Sequence, residues 1–324
     1  MKALRIEKAG GPEVMQIVDV PVPEPGKGRV RVKVEACGLN YSDIMIREGQ
    51  YIDATPFPYF LGREFCGTVD KIGEGVEAWS VGQRVVGSAM SGAMSEYVIV
   101  EPQTLIPCPE GLSPAQGAAI LVAGITAMHC LEDCAKLQAG ETVLIHAAAG
   151  GVGTLAVQIA KNIGAKVIGT ASTPDKCALI TDLGATAIDY TRGDWVKEVR
   201  SATDDKGADV ILDSVGGEIF SKSFREALAP FGRLVVLGVA SRDVVEISNR
   251  EILESNRTIT GYYLGAYFPE YLGHVVTATM KLVSLIQEGK VKPIVGKTFP
   301  LERAAEAFNH MQKRQNVGKV IIVP

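Results

Sequence analysis

The feature that most constrains this chain is a glycine-rich turn between a short apolar strand and a helix. Thr142–His146 has the composition of a buried strand and leads directly into Ala-Ala-Ala-Gly-Gly-Val-Gly, which ends at Gly153. This spacing fits the dinucleotide-binding pattern G-x-G-x-x-G, with Ala148 in the first glycine position and Gly150 in the second. The pattern predicts a phosphate-binding turn, with free N–H groups at the helix N-terminus facing the phosphates. The alternative is a tight packing turn that binds nothing.

Around this turn, short apolar strands alternate with helical patterns from Ser113 to about residue 265. Single buried strands that alternate with helices predict a parallel, doubly wound sheet. A capping box at Ser113-Pro-Ala-Gln116 predicts the start of its first helix. The predicted strands are Thr142–His146, Lys166–Thr170, Thr186–Tyr190, Val210–Asp213 and Arg233–Leu237, and the helices between them include Val152–Ile163 and Pro174–Leu183.

The first third of the chain has the pattern of β structure. From Val30 to Ala36 every second residue is apolar and the residues between are charged, which predicts a half-buried strand. Glycine turns then separate further short strands, a pattern typical of an irregular and mostly antiparallel barrel. These strands are Gly67–Asp70, Arg84–Val86 and Tyr97–Val100.

The C-terminal segment returns to mixed composition. It has helical patterns around His274–Gln287 and Arg303–Lys313 and ends in an apolar strand, Lys319–Val323. We therefore expect an α/β protein in which a doubly wound domain is inserted into a β-barrel domain. The expected domains are residues 1–121 with 266–324, and residues 122–265.

Composition limits the partners of the chain. The formal net charge is −4, which argues against nucleic acid or an anionic membrane surface as the main partner. The longest apolar run, Gly117–Met128, is shorter than the roughly 20 residues of a bilayer span, so no transmembrane helix is expected. The N-terminus lacks the apolar core of a signal peptide, and the 6 scattered cysteines form no C-x-x-C pair. A cytoplasmic protein with reduced thiols is expected.

The strand after the glycine-rich turn indicates which dinucleotide binds. An NAD site usually has an acidic residue about 20 residues beyond the turn, where it binds the ribose 2′-hydroxyl. Here the strand is followed by Ser172, Thr173 and Lys176, two hydroxyls and a cation that suit a 2′-phosphate. The sequence therefore predicts NADPH as the cofactor. The alternative for Lys176 is a solvated lysine in the first turn of a helix.

At this point the whole chain, from Ala3 to Val323, resembles the medium-chain dehydrogenase/reductase superfamily. Within it, the chain is most similar to the zinc-independent quinone oxidoreductases, the zeta-crystallin-like branch, with a further resemblance to VAT-1-like proteins. The resemblance implies a GroES-like β-barrel catalytic domain, a Rossmann NADP-binding domain and a homodimer. It is carried by the segments 36–43 (ACGLNYSD), 62–67 (GREFCG), 81–85 (VGQRV), 147–153 (AAAGGVG), 213–217 (DSVGG) and 316–319 (NVGK).

The resemblance extends the set of cofactor-binding residues beyond the turn and the 2′-phosphate region. It implies that Thr126 lies on the nicotinamide side, that Tyr190 lies near the 2′-phosphate, and that the C-terminal segment folds back over the cofactor. The full expected set is Asn40, Thr126, Ala149, Gly150, Gly151, Val152, Gly153, Ser172, Thr173, Lys176, Tyr190, Leu237, Gly238, Arg314, Asn316 and Lys319.

The resemblance also indicates where a metal would lie in zinc-dependent relatives. Their Cys, His and Cys ligands correspond to Asn40, Arg63 and about Val122, and none of these is an ordinary zinc ligand. We therefore predict no metal. Without a Lewis acid to form an alkoxide, an electron-poor acceptor is the better substrate. The resemblance implies the same, NADPH-dependent reduction of quinones or α,β-unsaturated carbonyls.

Three residues are the candidates for the chemistry. By resemblance, Asn40 hydrogen-bonds the nicotinamide ribose or the substrate and Asp43 holds the loop, although both also fit the start of a helix at Ser42–Arg47. Tyr51 matches a tyrosine that enoyl-thioester reductases place near the acceptor carbon. It is either a proton donor or an aromatic wall of the pocket. The rival functions are an enoyl-thioester reductase and a VAT-1-like scaffold that binds NADPH without turnover.

Overall fold

The computed structural model describes residues 1–324, except for the side chain of Pro269. In chain order the strands are β1 (Lys2–Ile6), β2 (Met15–Asp19), β3 (Val30–Leu39), β4 (Tyr59–Phe60), β5 (Glu64–Ile72), β6 (Arg84–Ser88), β7 (Tyr97–Val100), β8 (Leu105–Pro107), β9 (Thr142–Ile145), β10 (Lys166–Ala171), β11 (Thr186–Asp189), β12 (Ala208–Asp213), β13 (Leu228–Val236), β14 (Thr258–Gly261), β15 (Val295–Pro300) and β16 (Lys319–Val323). The α-helices are α1 (Tyr41–Arg47), α2 (Pro114–Gly117), α3 (Leu121–Met128), α4 (Gly151–Ile163), α5 (Pro174–Asp182), α6 (Trp195–Ala202), α7 (Gly217–Lys222), α8 (Asn249–Ser255), α9 (Leu264–Glu270), α10 (Leu272–Gln287) and α11 (Ala304–Gln312).

The chain divides into two compact units, Met1–Val122 with Pro293–Pro324, and Ala123–Lys292. Residues 266–292, which we expected in the first domain, belong to the second unit. The reason is the packing of α10 on α3, where Leu282 fills the space beside Gly124. A Cβ at Gly124 would lie 2.3 Å from Leu282 Cδ2.

The first unit is built from antiparallel β structure, as the sequence predicts. Its main sheet has the order β15-β16-β3-β5-β6-β8, with β7 paired to β3, and β15 and β16 pair in parallel. The predicted strand Val30–Ala36 lies within β3, and its apolar residues are buried, with 0% exposure at Val30 and Val32. Strand β16 pairs with β3, so the last strand of the chain lies against the third.

The second unit contains the predicted parallel sheet. Its strand order is β11-β10-β9-β12-β13-β14, and all of these pairs are parallel. The order reverses at β9, the strand that leads into the glycine-rich turn. In a doubly wound sheet ligands bind at the carboxyl ends of the strands near such a reversal.

One helical stretch, Pro114–Cys134, is long and apolar enough to cross a membrane by length and composition alone. The sequence indicates no segment of that length, because its longest nearly uninterrupted apolar run, Gly117–Met128, is shorter. The structure extends the stretch through a π-helical turn at His129–Cys134. In the most apolar window of the stretch, 78% is buried inside the protein, which is typical of a core helix.

Candidate active site

The glycine-rich turn in the second unit is built almost entirely from backbone groups. Ala147 adopts φ = 51°, and its carbonyl oxygen accepts a hydrogen bond from Gly150 N at 2.9 Å. Ala148 N donates to Thr170 O at 3.1 Å, which fixes the turn to the neighbouring strand β10. Gly150 is the N-cap of α4 and no side chain caps this helix. The N–H groups of its first turn are therefore available to an anion.

The last glycine of the pattern is required by close packing. A Cβ at Gly153 would lie 2.5 Å from Ala147 O and 2.6 Å from Ala148 Cα, closer than real Cβ atoms approach such groups. Both neighbours are backbone atoms, so they cannot move aside as a side chain would. Any side chain at this position would push α4 away from the turn.

The other expected cofactor residues of the second unit follow the carboxyl ends of neighbouring strands. Ser172 and Thr173 follow β10, and the Thr173 hydroxyl caps α5 by accepting a hydrogen bond from Lys176 N at 3.4 Å. Tyr190 follows β11, and its N–H donates to Ala171 O. Parallel strands end at one edge of the sheet, so these residues lie along the edge that carries the turn. Leu237 and Gly238 follow β13 at the same edge, and Thr126 is buried in α3.

His146, between β9 and the turn, is a buried neutral histidine. Its Nδ1 lies 3.0 Å from Thr170 Oγ1 and its Nε2 lies 2.8 Å from Ser223 Oγ. Burial lowers the pKa of His146 to about 3, so the ring stays neutral at physiological pH. Both ring nitrogens are occupied by protein groups, which indicates a structural role for this side chain.

In the first unit, Asn40 and Asp43 form the start of α1. Asn40 is the N-cap residue, and Asp43 Oδ2 accepts a hydrogen bond from Asn40 N at 2.8 Å. The other carboxyl oxygen of Asp43 is buried without a hydrogen-bond partner among the described residues. Burial raises the pKa of Asp43 to about 6, against the opposing effects of the Asn40 N–H and the Arg63 guanidinium. Asp43 therefore fixes the start of α1 through its hydrogen bond with Asn40 N, at some cost in desolvation.

The side chain of Asn40 belongs to a buried charged cluster with Glu64 and Lys319. Lys319 Nζ forms an ion pair with Glu64 Oε1 and donates to Asn40 Oδ1 at 2.7 Å. Asn40 Nδ2 donates to Glu64 Oε1 at 3.0 Å. We call these three residues the Glu64 cluster. No motif in the sequence indicates Glu64, and the available signal is a charged residue that precedes the apolar residues at the start of β5.

Tyr51 is held by Arg63, a residue for which the sequence indicates only that it does not bind zinc. Arg63 Nη1 donates to Tyr51 Oη at 2.6 Å, and the guanidinium carbon lies 5.1 Å from the centre of the Tyr51 ring. A guanidinium is only a donor, so the phenol oxygen is the acceptor and its own proton points to another group. The pair is half-buried.

The remaining expected cofactor residues follow α11. Arg314 is exposed and adopts φ = 55°, while Asn316 is half-buried. Within the first unit the structure thus brings Lys319 to Asn40 and holds Tyr51 against Arg63, and it places Arg314 on the surface. Within the second unit it places the turn, Ser172, Thr173, Tyr190, Leu237 and Gly238 along one sheet edge.

A parallel sheet with a phosphate-type turn, joined to an antiparallel β unit that closes with the last strand of the chain, defines a medium-chain dehydrogenase/reductase. Models of known families match both parts, an alcohol dehydrogenase GroES-like domain at residues 26–110 and a zinc-binding dehydrogenase at residues 151–279.

Individual relatives narrow this class. The chain is 34% identical to rat quinone oxidoreductase, over 100% of this chain and 98% of the relative, and 35% identical to human synaptic vesicle membrane protein VAT-1 homolog, over 90% and 78%. A solved structure of Escherichia coli quinone oxidoreductase complexed with NADPH superposes with a TM-score of 0.93 at 31% identity, over 100% of both chains. The chain therefore belongs to the quinone oxidoreductase family of medium-chain dehydrogenases/reductases.

One of the two matching family models is named for zinc binding, but the side chains at the corresponding positions of this chain do not suit a zinc ion. Of the three positions that correspond to zinc ligands, Asn40 is bonded to Lys319 and Glu64, and Arg63 to Tyr51. Val122 offers only its backbone N–H, which donates to Glu64 Oε2 at 2.9 Å. An ammonium and a guanidinium repel a dication, and no group of three or more His, Cys, Asp or Glu residues suited to a metal occurs among the described residues.

Proposed function

We propose that this protein is an NADPH-dependent oxidoreductase that transfers hydride to quinones or α,β-unsaturated carbonyl compounds without a metal ion. The observation that carries the proposal is the uncapped N-terminus of α4 beside a strand end that has hydroxyls and a lysine instead of an acid. The NADPH complex of the E. coli relative supports the same cofactor.

Each residue has a role in this proposal. The first turn of α4 binds the pyrophosphate, and Ser172, Thr173 and Lys176 bind the 2′-phosphate. Bound NADPH supplies the hydride. Asn40 orients the nicotinamide ribose or the acceptor, and the first unit, to which Asn40 belongs, excludes water from the reacting centre.

The acceptor must also gain a proton. Hydride addition to a quinone gives a hydroquinone anion, and addition to the β-carbon of an enone gives an enolate. One proton from Tyr51 or from water completes the reduction, and NADP⁺ leaves. Because Arg63 donates to Tyr51 Oη, the phenol proton is directed away from the guanidinium.

The two roles of Tyr51 differ in their response to Tyr51→Phe. A proton donor would lose about 100-fold in kcat, whereas an aromatic wall would lose little, because the ring remains. Tyr97→Phe, in strand β7 of the same unit, is the control. Steady-state rates with a naphthoquinone decide between the roles, since an unchanged kcat would assign the proton to water.

The rival functions are separated by one panel of acceptors. NADPH oxidation is measured with ortho-quinones, para-quinones, enones and enoyl thioesters, and NADPH affinity is measured by fluorescence titration. We expect turnover with quinones or enones and a preference for NADPH over NADH. Turnover with enoyl thioesters alone would indicate a thioester reductase. Tight NADPH binding without turnover would indicate a scaffold.

A further inference from the structure

Glu64 joins three segments of the first unit that are distant in sequence. Its carboxylate is 1% exposed and receives the side chains of Asn40 and Lys319 on Oε1 and the N–H of Val122 on Oε2. These partners begin α1, begin β16 and lie in the first turn of α3. Two of these three polar partners, Asn40 and Val122, match the positions of zinc ligands in zinc-dependent relatives, and the third, Lys319, is expected at the cofactor.

The surrounding packing makes room for this arrangement. A Cβ at Gly38 would lie 2.7 Å from Glu64 Oε1, 2.8 Å from Lys319 Cε and 2.2 Å from Ala118 O. Only a glycine leaves space for the ion pair against this strand. Burying an ion pair generally adds little net stability, because removing both charges from water offsets their attraction. Stability alone therefore does not explain why the fold accommodates the pair.

The cluster does determine the orientation of the Asn40 amide. Its oxygen faces the Lys319 ammonium at 2.7 Å and its nitrogen faces the Glu64 carboxylate at 3.0 Å. Turning the amide over would place NH₂ against an ammonium and an oxygen against a carboxylate, and both contacts would be repulsive. The amide oxygen keeps a second lone pair, which suits a hydroxyl donor on a bound ligand.

We propose that Glu64 is a positioning residue, which holds the Asn40 amide in one orientation through its direct hydrogen bond and through Lys319. The proposal rests on the proposed function, because Asn40 then presents a fixed acceptor to the hydroxyl groups of the nicotinamide ribose or to the acceptor molecule. Its effect is on geometry, so it acts mainly on the rate of hydride transfer and less on cofactor affinity.

The decisive comparison is between Glu64→Gln and the double variant Glu64→Gln/Lys319→Met. Glutamine has one acceptor oxygen where the cluster and Val122 N need two, and it leaves the ammonium buried without its counter-ion. The double variant removes both charges and so relieves that cost. We expect it to recover most of the Tm that Glu64→Gln loses.

The activity of the same variants separates positioning from structure. We expect kcat to fall about 30-fold in Glu64→Gln and to stay low in the double variant, while the Kd for NADPH rises about fivefold. Glu64→Asp, which keeps the charge, should recover part of kcat. Glu74→Gln is the control, because it removes an exposed ion pair of the same unit, the one with Lys27.

Recovery of kcat together with Tm in the double variant would overturn the proposal, since Glu64 would then be only structural. The failure of the proposed function has a different signature in the wild-type protein, namely NADPH binding without turnover of any acceptor. In that case the Kd for NADPH is compared between the wild-type protein and the double variant. An unchanged Kd in the double variant would overturn the positioning role of Glu64. A wild-type protein that binds no NADPH would overturn both proposals.

Discussion

The glycine-rich turn of the second unit and the Glu64 cluster of the first unit differ in the groups that form them. The turn consists of backbone groups, and the cluster consists of side chains. The turn is made of consecutive residues and offers backbone N–H groups, so its chemistry depends on what is absent at Gly150 and Gly153. The cluster is made of charged side chains that the fold assembles from distant positions. Gly153 leaves no room for an added carbon, whereas the Glu64 cluster loses its balance when one of its two charges is removed alone.

The largest effect is expected from adding one carbon to the turn. Gly153→Ala places a Cβ 2.5 Å from Ala147 O, so α4 must shift and its N–H groups lose their alignment. We expect the Kd for NADPH to rise about 100-fold, equivalent to about 3 kcal/mol. Fluorescence titration measures it. Gly273→Ala is the control, because a Cβ there meets nothing within 4 Å; equal losses in both variants would remove the packing argument.

A smaller effect is expected from Lys176, the cation that follows β10 at the sheet edge. Lys176→Glu replaces the cation expected at the 2′-phosphate with an anion. We expect the ratio of NADPH affinity to NADH affinity to fall about 30-fold, because hydrogen bonds to charged groups are among the stronger ones. Lys166→Glu, at the opposite end of β10, is the control. An unchanged ratio would remove Lys176 from the cofactor site.

A third prediction concerns the stability cost of the buried Asp43 carboxylate, which lies beside Asn40 in the first unit. The folded chain binds the Asp43 proton more tightly than the unfolded chain, because burial raises its pKa from 3.8 to about 6. Stability is therefore lost as the pH rises from about 4 through 6. We expect Asp43→Asn to raise the free energy of unfolding by about 2 kcal/mol at about pH 7.5 and by nearly nothing at about pH 4. Urea unfolding at the two pH values measures it, with the exposed Asp182→Asn as control, and an equal gain at both would contradict the assignment.

The smallest effect is expected from the neutral histidine beneath the turn. Burial lowers the pKa of His146 from 6.5 to about 3, so the unfolded chain takes up a proton first as the pH falls. Stability is therefore present above about pH 6.5 and declines below it, by about 1 kcal/mol at about pH 5.5. We expect His146→Gln to abolish this decline in urea unfolding. His274→Gln, with a ring that is 59% exposed, should leave the decline in place; the reverse result would exclude His146 as its source.

The contrast between local and tertiary features also explains which parts of the fold could be predicted from the sequence. Periodicity and spacing are local, so the parallel sheet, the barrel-like first unit and the turn were all visible, and the predicted strand Val30–Ala36 lies within β3. The packing of Leu282 on Gly124 is a tertiary contact without a local signal, and the expected boundary at residue 266 therefore differs from the division at Lys292.

The Glu64 cluster could not be predicted from the sequence either, because its contacts are also tertiary. Asn40 and Lys319 were each expected at the cofactor by resemblance, and nothing in the spacing indicated that they share a carboxylate. Arg63 was weighed only as a missing zinc ligand, although the structure holds it against Tyr51. Side-chain pairs between distant segments depend on the strand register, and one residue of slip would reverse the face on which each lies.

The central claim is that NADPH and the side chains of this chain carry out the reduction without a metal. The most direct test is the turnover number for NADPH oxidation by a naphthoquinone, measured on protein of known zinc content before and after treatment with a chelator. The account predicts the same turnover in both samples and no dependence on the zinc content. Turnover that rises in proportion to bound zinc, or that disappears with the chelator, would contradict it.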